Sequence, residues 1–396
     1  MIRLSFIGDI MCEYTRLDSY KQKEGTYDFT ALFSEVEDDF NKSDLVVANL
    51  ETPMAGESFR YSWRDYQFNT PEQIGIAMQK AGIDVVSTAN NHVLDRGFEG
   101  LDKTLENLDN IGIKHTGSAR SEAEALPLIV EVKGMKIGIL SYTYGTEACY
   151  NGYYLKPGEE YKVNLLRNQE LTNPIRRHFY LSRRFIPRAM RAIYRMIRPQ
   201  AATRTIGELK ERDIHQKAYL VKDILYAREH SDYVVMCLHC GGQFNDKPTK
   251  YTREIAEFCI ENGVNAVIGN HEHCIQESQL KDTNRLITYC LGNFTSNYGI
   301  ERKPYNKNAE CSILLNLYID EEKKEVVNIG FETLISIKGK NGVITTKPMY
   351  DCIINSRGKE RQELYKKNIR AINSFLGMDI TRIAPQKEYI VSQIGR

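Results

Sequence analysis

Val85 to Gly97 reads V-V-S-T-A-N-N-H-V-L-D-R-G, and the way it changes character part-way decides the fold. It begins with the β-branched, apolar composition of a buried strand and breaks abruptly into Asn90, Asn91 and His92, with Asp95 and Gly97 just beyond. An apolar strand that delivers amide, imidazole and carboxylate at its carboxyl end is how an open α/β sheet builds a polar site. The same event recurs along the chain. Ile2 to Gly8 ends at Asp9, Leu45 to Ala48 at Asn49 and Glu51, Val234 to Leu238 at His239, and Ala266 to Asn270 at His271 and His273. Oxygen and nitrogen donors gathered in this way suit hard-to-borderline divalent metals.

Between these strands the pattern alternates. Apolar residues at helical spacing predict a helix over Phe29 to Phe40, and Thr70-Pro71-Glu72-Gln73 reads as a helix start capped by Thr70, running to Lys80. Thr52 to Asn69, which holds the sole tryptophan, Trp63, reads as a loop over the site. Leu101, Leu105 and Leu108 share one face of a helix over Gly100 to Asn110, and Lys133-Gly134-Met135 joins strands at Leu128 to Val132 and Ile137 to Ser141 as a hairpin. Further helices are expected over Ile214 to His230, Tyr251 to Asn262 and Glu360 to Phe375. A further strand is expected over Leu286 to Leu291, and a β-meander over Ile313 to Met349. Alternation of strand and helix argues for an α/β architecture.

The 396 residues, 42% hydrophobic and 27% charged with a formal net charge of +1, describe an ordinary globular chain, long for a single core. Nothing in that balance calls for a nucleic acid partner. Nine scattered cysteines, several within apolar strands, read as reduced core residues; Cys237 and Cys240 have C-x-x-C spacing but no second pair follows. The opening M-I-R-L-S-F-I-G-D enters a strand at once, and no apolar run reaches the ~18 residues of a membrane span, so a cytoplasmic location is expected. No P-loop, no G-x-G-x-x-G after a strand and no G-x-S-x-G elbow is found, which disfavours an ATP-dependent ligase and a serine hydrolase.

One segment breaks the rhythm. Leu171 to Arg198 holds eight arginines and no acidic residue, interleaved with Phe179, Phe185, Ile186 and Ile193 and divided by Pro174 and Pro187. It reads as part of a basic amphipathic insertion at 150–213. A lid over a polyanion, an interfacial element on anionic lipid and a structural arm are its three readings.

His271-x-His273 is the strongest single motif, because alternate residues of an extended segment project to one side. His115 and His230 read as hydrogen-bonded structural residues. Asp, Asn/Glu, Asn-His, His and His-x-His, in that order, resemble the calcineurin-like metallophosphoesterases. More closely, Gly8-Asp9-Ile10-Met11, Asn49-Leu50-Glu51, Ala89-Asn90-Asn91-His92 with Asp95 and Gly97, His239-Cys240-Gly241-Gly242, Gly269-Asn270-His271-Glu272-His273 and Leu291-Gly292-Asn293-Phe294 resemble the poly-γ-glutamate capsule synthesis protein CapA family.

The resemblance implies a four-layer α/β/β/α sandwich over 1–300, with 301–396 contributing strands and a helix that complete the same fold. It implies one or two divalent ions (Mn, Zn or Fe) at the strand ends. Asp9 and His273 would hold the first ion, Asn91, His239 and His271 the second, and Glu51 would bridge them. His92 would stand just outside as general acid or transition-state stabiliser, oriented by Asp95. Two cations ~3.5 to 4 Å apart activate water and clamp a scissile oxygen. The implied role is a metal-dependent hydrolase or transferase acting on a phosphoester or γ-glutamyl amide bond in a capsule or cell-envelope polymer. The alternative is a non-catalytic metal-binding subunit of a polymer synthesis or export complex. The implied partner is a polyanionic polymer or its precursor, with peripheral contact to anionic membrane through 171–198. Three positions depart from the pattern of the family and its superfamily, one of them Cys240, where a tryptophan commonly follows the fourth-strand histidine. Met11 stands where D-x-H would place a histidine. Glu272 stands between the last two histidines, where proline is common, as an additional carboxylate available to ligate or to face solvent.

Overall fold

The computed structural model describes residues 1–61, 67–169, 214–295 and 309–391. Trp63 and the basic stretch 171–198 therefore lie outside the described residues.

In chain order the strands are β1 (Ile2–Ile10), β2 (Leu45–Leu50), β3 (Val85–Ser87), β4 (Lys114–Thr116), β5 (Leu128–Val132), β6 (Met135–Thr143), β7 (Tyr233–His239) and β8 (Ala266–Asn270). They continue with β9 (Ser278–Leu280), β10 (Leu286–Thr288), β11 (Asn293–Thr295), β12 (Cys311–Asp320), β13 (Glu325–Lys338), β14 (Ile344–Pro348) and β15 (Tyr389–Ile390). The helices are α1 (Tyr14–Tyr20), α2 (Thr30–Phe33), α3 (Glu37–Phe40), α4 (Gln73–Lys80), α5 (Gly97–Ile111), α6 (Ala148–Asn151), α7 (Ile214–His230), α8 (Lys250–Glu261), α9 (Met349–Asn355) and α10 (Gly358–Leu376).

Two sheets form. The first has the order β14-β13-β12-β1-β2-β3-β4, with β11 beside the end of β1 and β15 on β13; the second is β5-β6-β7-β8-β10-β9. β1 to β4 run parallel to one another, as do β6, β7, β8 and β10, so each sheet presents its strand carboxyl ends along one edge.

Side-chain alternation makes the layers. Leu45 and Val47 of β2 share one core with Tyr233, Val235 and Cys237 of β7, while the intervening Val46 and Ala48 pack under the first sheet's helices with Leu101, Leu105 and Leu108 of α5. On the second sheet, Val234, Met236 and Leu238 face Leu220 and Ile224 of α7 and Ile255 and Cys259 of α8. Three cores thus separate four layers, α/β/β/α. Strands covered on both faces must be apolar throughout, which is why they read as runs.

Several local expectations are corrected. Phe29 to Phe40 is two single turns, α2 and α3, not one helix. α4 starts later than the T-P-E-Q signal suggests: Glu72 is its N-cap, and the Thr70 hydroxyl lies 2.7 Å from that of Thr52 instead of capping. The strand expected over Leu286 to Leu291 stops at Thr288. The chain then turns through Gly292, at φ 82°, and crosses to the first sheet, where β11 lies alongside β1. Between β5 and β6, Lys133 and Gly134 both hold positive φ, 50° and 80°, as a two-residue type I′ hairpin turn requires. Of the expected insertion, residues 150–169 are described; most of 152–160 is exposed, and the chain meets the sheets near 163–166. Val163 bridges to Ser118 and Leu165 to Thr143, and Val163 and Leu166 are buried.

Candidate metal centre

All eight residues singled out from the sequence come together where the carboxyl ends of the two sheets meet, and all are buried. Asp9 lies within β1; Glu51 follows β2; Asn91, His92 and Asp95 follow β3; His239 ends β7; His271 and His273 follow β8. A hydrogen bond crosses the seam between the sheets, the His271 N–H donating to the Asp9 side chain at Oδ2 over 3.3 Å.

Two donor sets share one carboxylate. Asp9, Glu51 and His273 form one, Glu51, His239 and His271 the other, with the donor atoms of each set within 4.8 Å of one another. Glu51 Oε1 is 3.6 Å from His239 Nε2 and 3.6 Å from His273 Nε2. Around His239 Nε2, Asn91 Oδ1 stands at 2.8 Å and His271 Nδ1 at 3.1 Å. On the other side His273 Nδ1 is 2.9 Å from Asn293 Oδ1 and 3.4 Å from Asp9 Oδ2.

The electrostatics ask for positive charge. Burial, reinforced by Asp9, holds the Glu51 carboxyl well above its ordinary range. Among the described residues neither Glu51 oxygen has a hydrogen-bond partner, a costly condition for a fully buried carboxyl. Burial also raises Asp9, but contact with His273 outweighs it and the net shift is downward. Burial opposes a charge on His273, yet Glu51 and Asp9 together push it up to about 9. His239 is driven down to about 3, chiefly by burial, which keeps its imidazole neutral with a lone pair to give. An orphaned buried carboxylate between neutral and charge-seeking imidazoles fits a pair of divalent cations.

His92 is built differently. Its Nδ1 is 2.9 Å from Asp95 Oδ2, which also accepts the Phe68 N–H at 2.9 Å, and the Phe68 ring meets the imidazole edge-on at 4.8 Å. It belongs to neither donor set.

Two readings of the His-x-His motif need correcting. The segment is not extended: His271 has φ 104° and His273 φ 59°, and the rings converge, 6.1 Å apart, because the backbone bends at both. Glu272 neither joins a donor set nor faces solvent; it is fully buried, with its carboxyl laid against Gly241, whose φ of 135° and missing side chain leave the room. Burial raises that carboxyl well above its usual range. Met11 is buried in the core, and among the described residues no cysteine joins either donor set.

With this geometry in place, comparison with known proteins gives one decisive match: the model of the family described as bacterial capsule synthesis protein PGA_cap covers residues 3–298. The chain belongs to this family. Among individual relatives, the PGA biosynthesis protein CapA of Bacillus subtilis (strain 168) is 23% identical over 308 residues, covering 76% of this chain and 65% of the relative. The capsule biosynthesis protein CapA of Bacillus anthracis is 19% identical, covering 76% and 61%. The match thus spans somewhat under two thirds of these curated relatives. Among solved structures, a 5'-nucleotidase from Candida albicans aligns at 10% identity and TM-score 0.38 over 94% of this chain and 58% of that one. A hypothetical protein from Thermus thermophilus aligns at 13% and 0.35 over 88% and 98%.

Four further residues of the family member's site escaped selection from the sequence. Asn49 Nδ2 donates to Asp9 Oδ1 at 2.7 Å and lies 3.3 Å from His239 Nδ1; Asn293 faces His273; Glu147 and Tyr144 stand behind Asn91. Asn49 and Asn293 lie inside motifs quoted above. Glu147 follows β6, and the signal was the same one read elsewhere, an apolar strand breaking into polar residues. Among the described residues, no helix is long and apolar enough to cross a membrane.

Proposed function

We propose that this chain is a metal-dependent hydrolase or transferase acting in the synthesis or processing of a capsule or cell-envelope polymer, a poly-γ-glutamate-like or other polyanion. The observation that carries the reading is Glu51: a fully buried carboxylate, without a hydrogen bond to either oxygen, shared by two His-containing donor sets. Asp9, Glu51 and His273 would hold one divalent ion, Mn, Zn or Fe, and Glu51, Asn91, His239 and His271 a second. When bound, such ions supply Lewis acidity and offset negative charge developing on the scissile group. The chain's own residues do the rest. His92, with Nδ1 engaged by Asp95, has Nε2 on the side of Asn91 and the donor sets, placed to pass a proton to the leaving group. Phe68 holds Asp95 through its N–H and covers the imidazole with its ring, fixing the tautomer and shielding it from water.

The second reading, a non-catalytic metal-binding subunit of a polymer synthesis or export complex, is favoured by Met11. A thioether stands there where the superfamily pattern supplies an imidazole to the first ion. The test is elemental analysis of purified protein after loading with Mn²⁺ or Zn²⁺, followed by a screen of phosphodiesters and γ-glutamyl peptides. Bound metal with turnover is expected; bound metal without turnover selects the second reading, and a stoichiometry near zero ends both. The basic stretch 171–198 is proposed to contact the polyanion or anionic lipid. Vesicle and polymer co-sedimentation, with Arg176, Arg177, Arg183 and Arg184 changed to Gln, tests that contact: equal binding by both proteins at low salt overturns it.

A further inference from the structure

Asn91 can turn either end of its amide toward the donor cluster, and only the oxygen can serve a cation. Its Nδ2 lies 3.2 Å from Glu147 Oε1 and 3.2 Å from His92 Nε2, so both N–H bonds are directed away from His239, and Oδ1 is left 2.8 Å from His239 Nε2. Of these two, Nε2 of His92 can accept only in the unprotonated ring and therefore lets the amide go when it serves its proposed proton-transfer role. Glu147 has no such role, and its carboxylate is the stronger acceptor for an amide N–H.

The placement of Glu147 is over-determined. It is buried, and its φ of 53° is one that non-glycine residues rarely adopt. Its backbone carbonyl receives the N–H groups of Tyr150, at 2.7 Å, and Asn151, at 3.2 Å. The preceding residue is pinned from two sides, Asn151 Nδ2 donating to the Thr146 carbonyl at 2.7 Å and Gln169 Nε2 to the Thr146 hydroxyl at 2.6 Å. The Tyr144 hydroxyl donates to Glu147 Oε1 at 2.9 Å, fixing the same oxygen that faces Asn91. A strained residue held by this many bonds, with its carboxylate on the amide of a proposed ligand, has the form of a support for that amide.

We infer that Glu147 is a positioning residue of the cation site: it holds the Asn91 amide so that Oδ1, not Nδ2, faces His239 and His271. The inference rests on the proposed cation sites and adds to them a residue outside both donor sets.

The experiment is calorimetric titration of the cation-stripped chain with Mn²⁺, for wild type, Glu147→Ala, Glu147→Gln, Asn91→Ala and the Asn91→Ala/Glu147→Ala pair. Glu147→Ala is expected to weaken Mn²⁺ binding by about 10–100-fold, the usual cost of losing an outer partner of a ligand. Glu147→Gln, which keeps an oxygen acceptor for both Asn91 and Tyr144, is expected to retain wild-type affinity. In the Asn91→Ala background, Glu147→Ala is expected to cost nothing further, because the group it positions is gone. Unchanged affinity in Glu147→Ala, an equal loss with and without Asn91, or a Gln variant as weak as the Ala variant each overturns the inference. If Glu147→Ala does not fold, Tyr144→Phe carries the test: it is expected to weaken binding to a lesser degree, and only while Asn91 is present. Failure of the wild type to bind Mn²⁺ overturns the cation sites and this inference together. Wild-type binding with an unaffected Glu147→Ala variant overturns this inference alone.

Discussion

The imidazoles of the cleft divide into two kinds, and substitution separates them. His239 and His271 point at the same shared carboxylate, so His239→Ala and His271→Ala are each expected to lower bound metal and turnover in parallel; full metal content in both would refute that grouping. His92 touches Asp95 and Asn91 and belongs to neither donor set. His92→Ala is therefore expected to keep its metal and lose ~10² to 10⁴ in turnover, as removal of a general acid does. Loss of metal in that variant would make His92 a ligand. At this scale the sequence was a good guide wherever chemistry and strand ends coincided, because a polar residue straight after a buried apolar strand has nowhere to go but the sheet edge. It misled where backbone conformation decides. Nothing in H-E-H announces positive φ at both histidines, and Glu272 could be placed only once Gly241 was seen to leave room for it. Glu147 was overlooked for a related reason, since it reaches the cleft through a short turn four residues after β6 ends.

At the scale of elements, what brings the donors into register is close backbone contact across strands. A side chain on Gly8 would place its Cβ 1.8 Å from the Gly292 carbonyl oxygen, and one on Gly269 would come within 1.9 Å of the Tyr289 carbonyl oxygen. Gly8 immediately precedes Asp9 and Gly269 stands two residues before His271, and both contacts are with the stretch that crosses from the second sheet to the first. Gly8→Ala is expected to destabilise the fold by about 1–3 kcal/mol through overpacking. By displacing Asp9 it should also weaken metal binding, and a thermal melt with a parallel Mn²⁺ titration checks both; an unshifted melting temperature would mean the crossing stretch yields freely. That crossing was not legible in the sequence, where Leu286 to Phe294 reads as one strand and a turn. The long strands and α5, α7, α8 and α10 were legible because their patterns run over many residues. The three-residue strands β4 and β9 were not, being polar, short and fixed only by their neighbours.

Over the whole molecule, stability carries a pH signature from a site far from the cleft. Glu332, on β13, is buried beside Arg3, with 3.4 Å between Oε1 and the guanidinium. Burial, with Asp39 adding to it, pushes its carboxyl up to about 8, while Arg3 pulls the other way. The folded chain therefore keeps this proton to about pH 8, whereas the unfolded chain releases it near the ordinary value of 4.5, so this residue's contribution is fully present at low pH and is lost as pH rises across that window. Glu332→Gln is expected to flatten the decline: the gap in melting temperature between variant and wild type should widen in the variant's favour up to about pH 8 and stay constant above. Parallel curves would show that Glu332 titrates normally. The donor sets carry a second consequence at this scale. Each takes its carboxylates from the first sheet and its imidazoles from the second, so neither half of the sandwich owns a complete site. A cation bound there would act as a rivet, its affinity reporting how firmly the halves are pressed together. A substitution deep in the shared core, far from any ligand, would then register as a change in grip on the ion.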